Sequence, residues 1–134
     1  MTTSLHTLIQ TLDDWMQADS FKDYVPNGLQ VEGRDAIHKL ALGVTASADV
    51  IEQAVGWGAD ALLVHHGYFW KNESATLTGI KGRRIRALLE NQMSLIAYHL
   101  PLDCHPEFGN NKTLLDQLDL PDASPIDGEG GLLW

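Results

Sequence analysis

Residues 61–64, Ala-Leu-Leu-Val, form an unbroken apolar run of strand length, and Leu95-Ile96-Ala97-Tyr98 form a second. Runs without polar alternation belong to strands covered on both faces, as in parallel sheets. Leu40, Leu42 and Val44 alternate with the smaller Ala41 and Gly43, which predicts a strand with one large and one small face. Between these runs lie helical stripes. Val50, Ile51, Ala54 and Val55 recur at helical spacing after a cap at Ser47, with Gly56 and Gly58 to end the helix. Thr78 can cap a second helix carrying Ile80, Ile85, Leu88 and Leu89, stopped near Asn91. Strand, helix and strand in this order make βαβ units. The fold class expected is α/β, a mainly parallel sheet with helices on both faces, in which residues 39–45, 61–65 and 94–99 are neighbouring strands.

The flanking segments add to this frame. Leu5, Leu8, Ile9, Leu12, Trp15 and Met16 follow the i, i+3, i+4, i+7 rule, with Thr3 or Ser4 as cap. Trp15 and Trp57 occupy stripe positions and are read as packing residues. Pro26-Asn27-Gly28 marks a turn, and Leu29 and Val31 a short strand before Gly33. Asn110 or Asn111 is expected to cap a last helix with Leu114, Leu115 and Leu118, ended by Pro121. The tail from Asp122 to Gly131 is turn-rich, and Leu132-Leu133-Trp134 reads as the beginning of a strand.

A length of 134 residues suits one domain, residues 1–134. No stretch approaches the ~20 apolar residues that span a bilayer, and the N-terminus lacks the basic start and apolar run of a signal peptide. A cytoplasmic protein is expected, with no membrane partner. The net charge of -9 argues against non-specific binding to nucleic acid, which relies on Lys and Arg to neutralise phosphates. Lys81, Arg83, Arg84 and Arg86 depart locally from that balance. Such a run is usually the solvated face of a helix; the alternative is a landing site for an anionic substrate such as a phosphate. Cys104 is the only cysteine, so no internal disulfide exists, which fits a reducing compartment. Beside Asp103 and His105 it has the makings of a nucleophile or soft ligand, although such a cysteine is more often a small buried residue.

The chemistry gathers at strand ends. His65 and His66 follow the 61–64 run; His99 ends the 95–98 strand, and Asp103 and His105 lie just beyond it. In parallel α/β sheets, ligands bind outside the carboxyl ends of the strands. Two strands thus deliver ionisable groups to one sheet edge. Adjacent histidines on a regular strand point to opposite faces, so they converge only where the strand ends, and Gly67 allows that turn. Imidazole and carboxylate without thiolate suits Zn, Fe, Mn or Ni, and argues against a structural zinc site. His65, His66 and Asp103 are the candidate metal ligands, on one ion or on two roughly 3.5–4 Å apart. His99 and Glu73 are the candidate acid/base groups. His105 is either a further ligand or an exposed loop residue. Tyr68, Phe69 and Trp70 either wall the site or belong to the core, and His6 and His38 are read as surface residues.

Pro26-Asn27-Gly28-Leu29-Gln30-Val31-Glu32-Gly33, Gly43-Val44-Thr45, His65-His66-Gly67-Tyr68-Phe69-Trp70-Lys71, Tyr98-His99-Leu100-Pro101-Leu102-Asp103 with His105, and Gly109-Asn110-Asn111 together resemble, in order and spacing, the Nif-three-like family, often labelled GTP cyclohydrolase I type 2 homologue. The resemblance runs from about residue 5 to residue 134, and Asn72 departs from it where a Gly is common. It implies a dinuclear centre of two divalent metal ions per full-length subunit, within a ring-shaped homohexamer. It further implies that His65 binds one metal and that His66 and Asp103 bind the other. A later His and Glu from a second half of the chain complete the centre, so this chain corresponds to the N-terminal half of a fold that is truncated here. The cyclohydrolase label implies metal-assisted opening of a guanine ring. The function expected is a metal-dependent hydrolase of a small or nucleotide-like substrate. The alternative is a non-catalytic metal-binding or protein-interaction module.

Overall fold

A computed structural model of the chain describes residues 2–120, 122–126 and 131–134. Helix α1 (Leu5–Met16) starts at Ser4, whose hydroxyl accepts from the N–H of Thr7 at 3.0 Å. Strand β1 (Thr3–Ser4) precedes it and pairs antiparallel with β3 (Ala36–Ile37) in a small separate sheet. The main sheet holds β2 (Gly28–Val31), β4 (Leu40–Thr45), β5 (Ala61–His66) and β6 (Ser94–Ala97), in the order β2-β6-β5-β4. Strands β4, β5 and β6 are parallel, and β2 runs antiparallel to β6. The three strands expected to be neighbours are neighbours, with β5 central among them.

The crossovers are α2 (Ala48–Trp57) and α3 (Gly79–Glu90). Ser47 caps α2 through its hydroxyl, and Gly58 ends it in the left-handed region at φ 76°. Side chains alternate along β5 and β6 between two apolar layers. Leu62, Val64, Leu95 and Ala97 pack with Ile51 and Ala54 of α2 and Ile85 and Leu88 of α3. Ala61, Ile96 and Tyr98 face the other way, onto Leu5, Leu12 and Met16 of α1. Helices therefore cover both faces, and the unbroken apolar runs are explained by burial on both sides. Beyond β6, α4 (Leu100–Cys104) and α5 (Asn110–Gln117) close the described fold.

The amino ends of the parallel strands are tied by one carboxylate. Asp60 accepts from the N–H groups of His38 and Lys39 at 2.8 and 2.9 Å, and from the Arg34 guanidinium at 3.2 Å. Its own N–H donates to Lys39 and its carbonyl accepts from Ser94 N–H. A single residue thus links the starts of β4, β5 and β6.

Several sequence expectations are corrected. Trp15 and Trp57 are 60% and 55% exposed. Each sits at the margin of its stripe, where Trp15 meets the edge of Phe108 and Trp57 lies under the Lys39 ammonium. Edge strand β4 does show the expected large and small faces, and its large face is left uncovered among the described residues, with Leu42 and Val44 74% and 69% exposed. Gly56 lies inside α2, and Gly109, not Asn110 or Asn111, occupies the N-cap of α5. Leu132–Trp134 pair with no strand; the Leu132 and Leu133 carbonyls instead accept from the Asn111 side chain and the Ile126 N–H. The stop expected at Pro121, and the part of the tail at 127–130, lie outside the described residues. The small β1–β3 sheet and α4 had no pattern long enough to be read from sequence.

Burial would raise the Asp60 carboxyl, but the two backbone donors and the Arg34 charge outweigh it and hold it below the usual carboxylate value. Its stabilising contribution is present above the unfolded value near ~4 and is lost as pH falls through the folded value. Asp60→Ala should cost about 3 kcal/mol at neutral pH, since buried donors lose their acceptor. In chemical denaturation the gap between wild type and variant should narrow below about pH 4; a gap independent of pH would contradict this account.

Candidate metal centre

Strand β5 ends with His65 and His66, and their rings lie on the same side of that end with centroids 4.4 Å apart. His99 joins them from the end of β6, with its ring 4.9 Å from that of His65 and 5.8 Å from that of His66. One ligand nitrogen from each of the three imidazoles falls within 4.8 Å of the others. Asp103, on α4, places Oδ1 3.6 Å from Nε2 of His65. The structure thus brings together His65, His66, His99 and Asp103 at the carboxyl edge of the sheet.

What Gly67 contributes is space. A Cβ there would collide with Oε1 of Gln30 and stand 2.8 Å from the Ala97 side chain. Gln30 uses that closeness to accept from Tyr68 N–H at 2.7 Å, and the Trp70 indole donates to the Gly67 carbonyl at 3.2 Å. The chain turns tightly after His66 and sets Trp70 against the His99 ring, 5.0 Å away in an edge contact.

Each imidazole is oriented by a neighbour. His65 Nδ1 lies 3.1 Å from the Tyr98 carbonyl. A carbonyl only accepts, so Nδ1 carries the proton and the Nε2 lone pair faces Asp103. His99 Nδ1 lies 2.8 Å from Asp23 Oδ1, so it too donates and leaves Nε2 free toward the cluster. His66 Nδ1 meets the Thr45 hydroxyl at 3.0 Å across the β4–β5 register. Burial lowers the pKa of His66, and the nearby His65 and His99 lower it further against the opposing Asp103 charge. It is therefore held neutral, the form that ligates a cation. This arrangement of ring nitrogens, each backed by an acceptor or hydroxyl, fits the donor set of a divalent-metal site.

Asp23 is the residue that sequence reasoning missed. Its side chain is 3% exposed and accepts from His99, from the N–H groups of Leu100 and Tyr24 at 2.9 and 2.6 Å, and from Asn27. Asn27 in turn accepts from His99 N–H at 2.8 Å. Burial would raise the Asp23 carboxyl, but the His99 hydrogen bond and the other donors bring it below its usual value. Nothing local marks Asp23, since its partner His99 is 76 positions away; the one available signal was its position ahead of the Pro26-Asn27-Gly28 turn.

The remaining candidates lie outside the imidazole cluster itself, although Glu73 lines a cavity shared with His66. Glu73 accepts from the N–H groups of Phe69 and Trp70 at 3.0 and 3.3 Å and pairs with Lys81 at 3.4 Å, which holds the loop in which Phe69 adopts φ 66°. His105 stacks on Phe108 and its ring accepts from Glu107 and Phe108 N–H groups, outside the cluster. Cys104 is buried, and that burial pushes its thiol up, with Asp103 and Asp23 adding to it. His6 and His38 are exposed. Arg83 and Arg86 are exposed, as a solvated helix face would be, but Lys81 and Arg84 are part-buried.

Asp23→Ala should release His99 from its Nδ1–H tautomer and cost about 2–3 kcal/mol, the scale of hydrogen bonds to a charged group. Long-range proton–nitrogen NMR of the imidazoles checks it, with an unchanged His99 tautomer as the adverse result.

Comparison with known proteins shows the family and the fold. The model of the Duf34/NIF3 (NGG1p interacting factor 3) family matches residues 3–133. A GTP cyclohydrolase 1 type 2 homolog of Allochromatium vinosum is 57% identical over 132 residues, 98% of this chain and 52% of that protein. One from Haemophilus influenzae is 51% identical, over 90% of this chain and 48% of its own length. A solved protein from Thermus thermophilus superimposes with a TM-score of 0.88 at 36% identity, covering 93% of this chain and 52% of that one. The chain spans about half the length of the curated relatives it matches. No helix among the described residues is long and apolar enough to cross a membrane. The chain belongs to the Duf34/NIF3 family.

Proposed function

We propose that this chain supplies one side of a dinuclear divalent-metal centre, with His65 on one ion and His66 and Asp103 on the other, in a metal-dependent hydrolase of a small or nucleotide-like substrate. The observation that carries the reading is the convergence of three imidazoles within 4.8 Å with the Asp103 carboxylate 3.6 Å from His65. A divalent ion of the Zn, Fe, Mn or Ni class held there supplies Lewis-acid activation of water. His99 is the proton-handling group: Asp23 fixes its Nδ1–H, and Nε2 faces the cluster. Glu73 positions the 67–73 loop and with it Trp70. Resemblance to the GTP cyclohydrolase 1 type 2 homologs supports this reading as the activity of a longer subunit of which the chain is one domain. The setting proposed is a cytoplasmic homohexamer, and the exposed Leu42 and Val44 on β4 support a further protein surface over that edge.

A second reading follows from the same cluster: a mononuclear site on His65, His66 and His99, the three-histidine set of many catalytic zinc sites. Metal titration by calorimetry separates the two. The dinuclear reading expects His65→Ala, His66→Ala and Asp103→Ala each to weaken zinc or manganese binding by about tenfold or more. It also expects metal-free melting temperatures to change little and His99→Ala to spare affinity. The mononuclear reading expects one ion per chain and His99→Ala as harmful as His65→Ala. Tight binding indifferent to all four substitutions would falsify both.

A further inference from the structure

Arg84 on α3 is not used by the site described so far. Its Nε is the one buried side-chain nitrogen or oxygen among the described residues that has no hydrogen-bond partner in the protein. Among the described residues no carboxylate forms an ion pair with it. Lys81 lies one turn earlier on the same face, but its charge is engaged by Glu73 at 3.4 Å. Both side chains line a cavity of 540 Å³ whose other walls include Thr45, His66, Tyr68, Trp70 and the Glu73 carboxylate, which is itself paired with Lys81. One wall of this cavity is therefore a residue of the candidate metal centre. The first turn of α3 borders it: Thr78 makes no capping hydrogen bond through its side chain, and Ile80 and Lys81 line the cavity. The positive end of a helix dipole adds to the Arg84 charge.

A part-buried guanidinium whose Nε–H is unmet, and which forms no ion pair of its own among the described residues, carries a desolvation cost that an anion of matching shape removes. Carboxylate and phosphate both fit the guanidinium fork. The volume and the indole wall of Trp70 leave room for an apolar body beside the anion. We propose that this cavity is an oxyanion subsite, in which Arg84, with Lys81 offsetting the Glu73 carboxylate, holds the phosphate of a small phosphomonoester whose other end reaches His66. The proposal deepens the metal-hydrolase reading by naming a substrate class, and rests on that reading only for what happens at His66.

The test is titration of phenyl phosphate, inorganic phosphate and benzoate into the metal-free chain, followed by amide NMR shifts at low salt. Phenyl phosphate should saturate and shift residues Thr45, His66 and Trp70. Arg84→Met should weaken it by about tenfold or more, and Arg86→Met, on the exposed face of the same helix, by less than about twofold. Benzoate binding tighter than phenyl phosphate would overturn the phosphate assignment. Equal losses in the Arg84 and Arg86 variants, or no saturation in the wild type, would overturn the subsite. If Arg84→Met loses its fold by near-ultraviolet dichroism, Arg84→Lys decides: weakened binding in a folded protein supports the bidentate contact, and unchanged binding overturns it. Zinc titration of folded Arg84→Met, or of Arg84→Lys in its place, separates the two claims, since its metal affinity should stay within about twofold of wild type. Phosphate bound by a wild type that binds no zinc leaves the subsite standing and sinks the metal reading; zinc bound without phosphate does the reverse.

Discussion

Strand β5 has a hydrogen-bonded partner on each edge and a packed apolar layer on each face. Interiors of this kind are close-packed, so neither the register nor the end point of the strand can drift without emptying a core position. Ala61 is fixed against Leu40 and Ser94, and Val64 against Gly43 and Ala97. Counting forward from that fixed point, His65 and His66 have one place to be. The geometry of the candidate metal site is in this sense a consequence of packing at residues 61–64, which carry no chemistry themselves.

The two ends of the sheet do different work. At the amino edge, Asp60 gathers backbone donors and one guanidinium, and its role is to hold strand starts together. At the carboxyl edge, Asp23 does the corresponding thing for the loop before β2 and the end of β6, but its fourth partner is the His99 ring. A carboxylate that looks structural by burial thus sets the tautomer of an imidazole in the candidate metal centre. Lys81 and Arg84 extend the same edge outward, because α3 begins where the 67–73 loop returns from the histidines.

Much of this was legible in the sequence, for identifiable reasons. The parallel strands, the α1 stripe and the Ser4 and Ser47 caps rest on periodicity and local hydrogen bonding, which act over a few residues. That His65, His66 and Asp103 come together at one sheet edge was legible because strand ends can be located from apolar runs. Trp15 and Trp57 were misplaced because a stripe position at the margin of a helix is buried only if another element reaches it. The small β1–β3 sheet was missed because pairs of two-residue strands leave no period to read.

The sequence by itself determined the α/β class, the order of the elements and the delivery of histidines and an aspartate to one sheet edge, since burial and periodicity are encoded locally along the chain. Only the tertiary structure decided which nitrogens face inward, that Asp23 and Thr45 set them, that Glu73 braces a loop, and that the Nε of Arg84 lacks a partner beside a cavity shared with His66. Those facts depend on contacts between residues far apart in the chain, whose geometry exists only once two buried layers have fixed the strands between them.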